Sequence, residues 1–94
     1  MITHIEKFGS YWCAPCRVLD KTLEKVTGVD IQKYDVDQFE DLAEERGVRN
    51  VPVLIFWNGN QEVDRLVGAV PLSTINDVIE KWKLLIQVTT RLGK

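Results

Sequence analysis

Apolar residues recur every two residues in some segments and every three or four residues in others, and each change of interval marks a new element. Residues 2–8 are predicted to form a strand, whose imperfect alternation suits a position covered on both faces of a sheet. From Cys13, apolar residues recur at steps of three and four, which predicts a helix that ends near Gly28. Residues 29–35 supply the second predicted strand.

A short second helix is predicted after this strand. Asp37 stands at its expected N-cap, with Glu40 three positions later in the arrangement of a capping box. Gly47 is the expected stop, because glycine adopts the left-handed conformation without a Cβ penalty. The buried face of this helix is expected to contain Phe39, Leu42 and Ala43.

The second half of the chain predicts a hairpin and a last helix. Residues 51–57 form the most apolar strand, Asn58 and Gly59 are a turn signal, and residues 61–67 are the expected antiparallel partner. A helix is predicted over residues 73–86 because apolar side chains there recur at steps of three and four. This stripe comprises Leu72, Ile75, Ile79, Trp82 and Ile86.

The order of these elements, β-α-β-α-β-β-α, predicts an α/β fold in a single domain over residues 1–94. The first two strands are joined through a helix, so they should be parallel with a right-handed crossover. The last two strands should be antiparallel. The expected architecture is a four-stranded mixed sheet flanked by three helices.

Composition narrows the function classes. Apolar residues make up 45% and charged residues 28% of the chain, as in ordinary soluble domains. The net charge of −2 and the absence of a basic block argue against a nucleic-acid partner, and no apolar run suits a membrane. The amino terminus lacks a signal-peptide pattern, which favours a cytoplasmic location. A permanent structural disulfide would be unusual there.

The chain has two cysteines, Cys13 and Cys16, in the stretch YWCAPCR. Zinc takes four ligands, and the chain offers only these cysteines and the single histidine His4. A metal would need carboxylates or a second chain as further ligands, and a dithiol cycle needs no organic cofactor, so neither is expected. The remaining interpretation is a pair that cycles between dithiol and disulfide.

The predicted position of the pair assigns a role to each sulfur. Cys13 falls at the start of a helix, where free amide donors and the helix dipole favour a thiolate. Pro15 suits an early helix position and stiffens the loop. Cys13 is the expected exposed attacker of a partner disulfide, and Cys16, one turn later and shielded, is expected to resolve the mixed disulfide. A separate electron donor must then reset the pair.

The motif WCAPCR resembles the thioredoxin active-site motif Trp-Cys-Gly-Pro-Cys-Lys, with Ala14 for glycine and Arg17 for lysine. The segments VRNVPV at residues 48–53, Asn-Gly at 58–59 and VGA at 67–69 also resemble thioredoxins, and the match extends over residues 3–86. The resemblance implies a minimal thioredoxin fold that lacks the family's amino-terminal strand and helix. It also implies a protein-disulfide reductase.

The resemblance further implies a substrate-binding surface around the cysteines. Pro52 would follow a cis peptide bond, Val51 would lend its backbone N–H and C=O to an extended partner segment, and Gly68 would leave room for that segment. The implied substrate-binding residues are Trp12, Ala14, Pro15, Val51, Pro52 and Gly68.

One departure concerns the charge beneath the site. Thioredoxins carry an aspartate six residues before the first cysteine, and here that place is Lys7, while Lys33 occupies the place of a lysine near that acid. Lys7 and Lys33 are thus candidates for tuning a thiol pKa, since an ammonium nearby lowers the pKa of Cys13. Glu6 replaces the acid only if the strand register shifts by one residue, which turns it to the other face.

The leading hypothesis is a monomeric thioredoxin-like reductase that receives electrons from a thioredoxin reductase and acts on disulfide-containing proteins. Ribonucleotide reductase is a possible client by family analogy. One alternative is a glutaredoxin-like protein recycled by glutathione, although VGAV stands where glutaredoxins hold glutathione. The other alternative is a redox-independent binding subunit of a larger assembly.

Overall fold

The computed structural model describes the backbone of residues 1–92 and the side chains of residues 1–84. Its elements occur in the predicted order. They are β1 His4–Gly9, α1 Ala14–Leu23, β2 Asp30–Asp35, α2 Glu40–Glu45, β3 Val53–Asn58, β4 Gln61–Val67 and α3 Leu72–Leu92. Within the described part of the chain, no helix is both long enough and apolar enough to cross a membrane.

The four strands form one mixed sheet in the order β2-β1-β3-β4. Strand β1 runs parallel to β2, with Ile5 opposite Ile31, and antiparallel to β3, with Ile5 opposite Phe56. Strands β3 and β4 form the antiparallel hairpin that the Asn-Gly turn predicts. The predicted α/β fold is therefore confirmed. Because β1 is an inner strand, the loop that follows it starts from a rigid support.

Both faces of the sheet are covered by helices. Along β3, Leu54 and Phe56 join the core cluster that includes residues of α1 and α3. The alternate residues Val53 and Ile55 join Ala43 of α2 on the opposite face. Burial on both faces explains why this strand is apolar at every position from 53 to 56 instead of at every second one.

The register of β1 separates two neighbouring charges. Glu6 is buried on the face of α2, where its carboxylate accepts hydrogen bonds from Arg46 Nε at 2.9 Å and from Trp57 Nε1 at 2.9 Å. The hydrogen bond with Glu6 raises the pKa of Arg46 above its ordinary value, against the lowering effect of burial. Lys7 is buried on the other face, towards α1. Glu6 therefore does not replace the missing acid beneath the cysteines.

Two helix ends differ from the prediction. Helix α1 ends at Leu23 and not near Gly28, because Lys25 N and Val26 N donate to carbonyl oxygens only three residues earlier and tighten the chain into turns. Helix α3 continues to Leu92, beyond the predicted residue 86. The side chain of Ile86, which the sequence assigns to the apolar stripe, lies outside the described residues.

The predicted cap of α2 is wrong. Phe39 occupies the N-cap position and makes no side-chain cap, and 43% of its surface is exposed rather than buried. The carboxylate of Asp37 instead accepts a hydrogen bond from Trp12 Nε1 at 3.0 Å. Gly47, with φ of 68°, is the left-handed residue that follows the helix, as predicted.

The middle of α3 is tied to the sheet through Asp64 of β4. Its carboxylate accepts a hydrogen bond from Trp82 Nε1 at 3.0 Å and one from Arg65 N at 2.9 Å, and lies 3.5 Å from the ammonium of Lys81. Burial by itself raises the pKa of Asp64, but these two hydrogen bonds and the Lys81 charge outweigh it and lower the pKa below 3.8. The ionised carboxylate therefore stabilises the folded state.

We predict that Asp64→Asn lowers the free energy of unfolding by about 1 kcal/mol at neutral pH, because the amide keeps one hydrogen bond but loses the charge. Because the pKa of Asp64 is lowered in the folded state, its carboxylate stabilises the folded state at pH values above the unfolded-state pKa of 3.8. This contribution disappears as the pH falls through the folded-state pKa. The difference between variant and wild type should therefore shrink in acid. Urea unfolding at a series of pH values measures it, with the exposed Asp77→Asn as the control. A difference that does not change with pH contradicts the prediction.

Candidate active site

The two cysteines lie at the junction between β1 and α1. Cys13 is the N-cap of α1, with an extended backbone at φ −99° and ψ 108°. Its Sγ accepts a hydrogen bond from Cys16 N at 3.2 Å, so the sulfur itself satisfies one of the free amide donors of the first turn. Pro15 occupies an early helix position that needs no donor. The predicted placement of the pair at a helix amino terminus is confirmed.

Cys13 and Cys16 are joined by a disulfide, with 5.2 Å between their Cα atoms. The pair can therefore close without rearrangement of the backbone. Among the residues that the structure describes, no cluster of three or more His, Cys, Asp or Glu side chains is placed to hold a metal ion.

The two sulfurs differ in burial less than the sequence predicts. Cys16 is 1% exposed and Cys13 is 6% exposed, so Cys13 is the more accessible thiol but is buried rather than exposed. Its Sγ lies 3.9 Å from the carbonyl oxygen of Val51, which covers it from the side of the 51–52 segment. On the other side of Cys13, Trp12 and Ala14 are exposed.

The segment opposite the cysteines has the expected geometry. The peptide bond between Val51 and Pro52 is cis, and Pro52 is fully buried. Gly68 N donates to the carbonyl oxygen of Pro52 at 2.8 Å, which fixes the start of the loop after β4 against this segment. Gly68 has φ of 97°, and the position where its Cβ would stand is open space. Beside it, Val67 is 62% exposed.

Exposed aromatic side chains flank the cysteines on the other side. Trp12 is 61% exposed, and its bond to Asp37 fixes the indole beside the start of α2. Tyr11 is 78% exposed, while its carbonyl oxygen accepts a hydrogen bond from the guanidinium of Arg17 at 2.8 Å. A shallow cavity of about 330 Å³ lies next to Trp12. It is lined by Trp12, Val36, Val48, Arg49, Asn50 and Val51.

The structure brings Lys7 and Lys33 together at one carboxylate. Asp20 Oδ1 lies 3.0 Å from Lys7 Nζ and 3.5 Å from Lys33 Nζ. The Lys7 side chain is 8% exposed, whereas that of Lys33 is 50% exposed. Sequence reasoning missed Asp20. The available signal was its position four residues after Cys16 in the same helix, which places both side chains on one face.

Comparisons with known proteins agree with this geometry. The family model described as Thioredoxin matches residues 2–81. The chain is 35% identical over 79 residues to thioredoxin 1 of Nostoc sp., an alignment that covers 79% of this chain and 74% of the relative. It is 36% identical over 80 residues to a thioredoxin of Synechocystis sp., with 80% and 75% of the two chains covered.

Solved structures give the same result. A mutant thioredoxin from Halobacterium salinarum superposes with a TM-score of 0.75 at 32% identity, over 83% of this chain and 72% of the other. The thioredoxin NaTrxh from Nicotiana alata has a TM-score of 0.75 at 32% identity, over 85% and 72% of the two chains.

We predict that Gly68→Ala lowers the free energy of unfolding by about 1–2 kcal/mol, because an alanine at this φ is strained. It should also slow reduction of a disulfide-bonded test protein, because the added methyl group stands in the open space beside Pro52. Gly28→Ala is the matched control, with φ of 79°, an equally open Cβ position and a location beyond α1. Urea unfolding and a reduction assay of both variants test this. Equal losses of activity in the two variants would remove Gly68 from the substrate surface.

Proposed function

The chain belongs to the thioredoxin family of thiol–disulfide oxidoreductases, and we propose that Cys13 is its attacking thiol and Cys16 its resolving thiol. The observation that carries the assignment is the hydrogen bond from Cys16 N to Cys13 Sγ at the amino terminus of α1. This donor, together with the helix dipole, stabilises negative charge on Cys13. Cys16, which is the more buried sulfur, meets a partner only after Cys13 has bound it.

The proposed reaction balances within the two proteins. The Cys13 thiolate attacks one sulfur of the partner disulfide, a bond forms between Cys13 and that sulfur, and the other partner sulfur leaves as a thiolate that takes a proton. Cys16 then loses its proton and attacks Cys13 Sγ. The mixed disulfide breaks, and the partner leaves with its second thiol. The partner gains two electrons and two protons, and the Cys13–Cys16 bond holds the oxidised state.

The proposed substrate surface consists of the residues that surround the pair. Val51 supplies backbone groups beside Cys13, so an extended partner segment pairs with it as a short added strand. Gly68 leaves open space along that path, and exposed Trp12 provides apolar contact on the opposite side. Backbone pairing of this kind reads little of the partner's sequence. The proposed surface comprises Trp12, Ala14, Pro15, Val51, Pro52 and Gly68.

Disulfide-containing client proteins and a reductase are the partner classes that the family implies. Within them we propose a thioredoxin reductase as the electron donor and ribonucleotide reductase as one client. A monomer in a reducing cytoplasm is the proposed state, with one domain over residues 1–94. Neither the glutaredoxin-like alternative nor the redox-independent binding subunit is favoured by relatives that are named thioredoxins.

We predict that Cys16→Ser accumulates mixed disulfides with client proteins, because the attack by Cys13 proceeds but its resolution does not. Cys13→Ser should form none and should reduce a disulfide-bonded test protein no faster than the uncatalysed background. Non-reducing electrophoresis followed by mass spectrometry identifies the linked cysteine. Mixed disulfides that form through Cys16 in Cys13→Ser as fast as they form through Cys13 in Cys16→Ser would contradict this assignment of the two roles.

A coupled assay separates the electron donors. Turnover of the wild-type protein with thioredoxin reductase and NADPH is expected, and turnover driven by glutathione alone is not. Turnover with glutathione but not with thioredoxin reductase would favour the glutaredoxin-like alternative instead.

A further inference from the structure

A compact ion cluster lies directly beneath the resolving cysteine. The Lys7 ammonium, from β1, is held between the sheet and α1 and lies 3.0 Å from Asp20 Oδ1. Asp20 Oδ1 is buried and makes no aligned hydrogen bond, so its contact with Lys7 is an ion pair through space. The second cation, Lys33, approaches the same oxygen from β2 at 3.5 Å and is half exposed.

The geometry of Gly9 places this cluster against Cys16. A Cβ built on Gly9 would stand 2.6 Å from Lys7 Nζ and 3.2 Å from the Cys16 Cβ. Gly9 therefore leaves the room in which the ammonium lies beside Cys16. Asp20 approaches Cys16 along α1, four residues later on the same helix face. The Lys7 side chain is 8% exposed, so its charge acts on the 1% exposed Cys16 with little screening by water, whereas the charge of Asp20, whose side chain is 36% exposed, is screened more.

We propose that Lys7 and Asp20 form an opposed charge pair that sets how readily Cys16 loses its proton, with Lys7 favouring the thiolate and Asp20 moderating Lys7. The proposal deepens the proposed function, and it rests on Cys16 being the resolving thiol. Lys7 and Asp20 are positioning residues that act through their field on Cys16. The proton of Cys16 passes to solvent, and neither side chain needs to accept it.

Lys7, Asp20 and Lys33 line a cavity of about 440 Å³. The other charged groups that line it form hydrogen bonds with other partners. On α1, the guanidinium of Arg17 donates to the carbonyl oxygen of Tyr11. On β2, the carboxylate of Asp35 accepts from Asp37 N at 2.8 Å, and the hydroxyl of Tyr34 donates to a side-chain oxygen of its own strand at 3.2 Å. The segment that covers the sulfurs from the opposite side, Val51 and Pro52, carries no ionisable side chain.

The test uses two variants that break the same ion pair but change the charge beside Cys16 in opposite directions. In a Cys13→Ser background, Cys16 is the single thiol. There, Lys7→Met should raise the pKa of Cys16 by about one unit, because a nearby positive charge is removed. Asp20→Asn should lower the pKa of Cys16, because the Lys7 charge is no longer compensated. The Cys16 pKa of the double variant should lie between those of the two single variants, near that of the Cys13→Ser parent. Ultraviolet absorbance of the thiolate against pH measures each value.

Lys33→Met is the matched control. It removes a second cation from the same carboxylate, but on the exposed side of the cluster, so its shift in the Cys16 pKa should be smaller than that of Lys7→Met. Cooperative urea unfolding verifies that each variant is folded. Because Asp20 is partly exposed, Asp20→Asn provides an independent arm if the buried Lys7→Met fails to fold.

Shifts of the Cys16 pKa in the same direction in both single variants, or no shift in either, would overturn the proposal, because a purely structural ion pair predicts one of these results. A raised Cys16 pKa in Asp20→Asn would instead make Asp20 a proton acceptor if Asp20→Asn, placed in the chain that retains Cys13, also releases a small thiol more slowly from its mixed disulfide with Cys13. The titration needs no turnover. A wild-type protein that reduces no protein disulfide would therefore overturn the proposed function alone.

Discussion

The chemistry of this protein depends on one hydrogen bond at the start of α1, from Cys16 N to Cys13 Sγ. It requires the helix to begin at Cys13, so the chain must leave β1 and turn within the three residues 10–12. It also requires both cysteines to stand one helical turn apart, which sets 5.2 Å between their Cα atoms. In the proposed mechanism this amide stabilises the thiolate of Cys13, and the one-turn spacing holds Cys16 within bonding distance. Sheet, loop and helix serve to keep that amide in place.

The register of β1 is the second constraint, because it decides which charge lies beneath the cysteines. Side chains alternate between the faces of a strand, so adjacent Glu6 and Lys7 must point to opposite helices. Glu6 is satisfied by Arg46 and Trp57 on the α2 face, and Lys7 is left on the α1 face with Asp20. A shift of one residue would bury Lys7 among apolar side chains and detach Arg46, so the register is fixed from both sides.

Much of this molecule is predictable from local patterns. Element order, strand pairing and the helix amino terminus at Cys13 follow from apolar spacing and from the Cys-x-x-Cys segment. Helix ends are less predictable: α1 stops at Leu23 because turns with bonds to residues three positions earlier compete with the helix, and no sequence signal marks that point. The cap of α2 fails for a tertiary reason, since the Asp37 carboxylate bonds Trp12 from a distant part of the chain.

The ion cluster beneath Cys16 contains an acid that its sequence position does not reveal. Comparison by position finds Lys7 where the resemblance places an aspartate, and it does not find Asp20, which lies on a different element. The structure contains the carboxylate, on α1 instead of β1, opposite the lysine that took its place. Lys7 and Asp20 put one base and one acid between β1 and α1, and the low polarity of that space favours such pairing of any charge buried there. The ammonium is the more buried of the two charges, and it lies against Gly9 and Cys16.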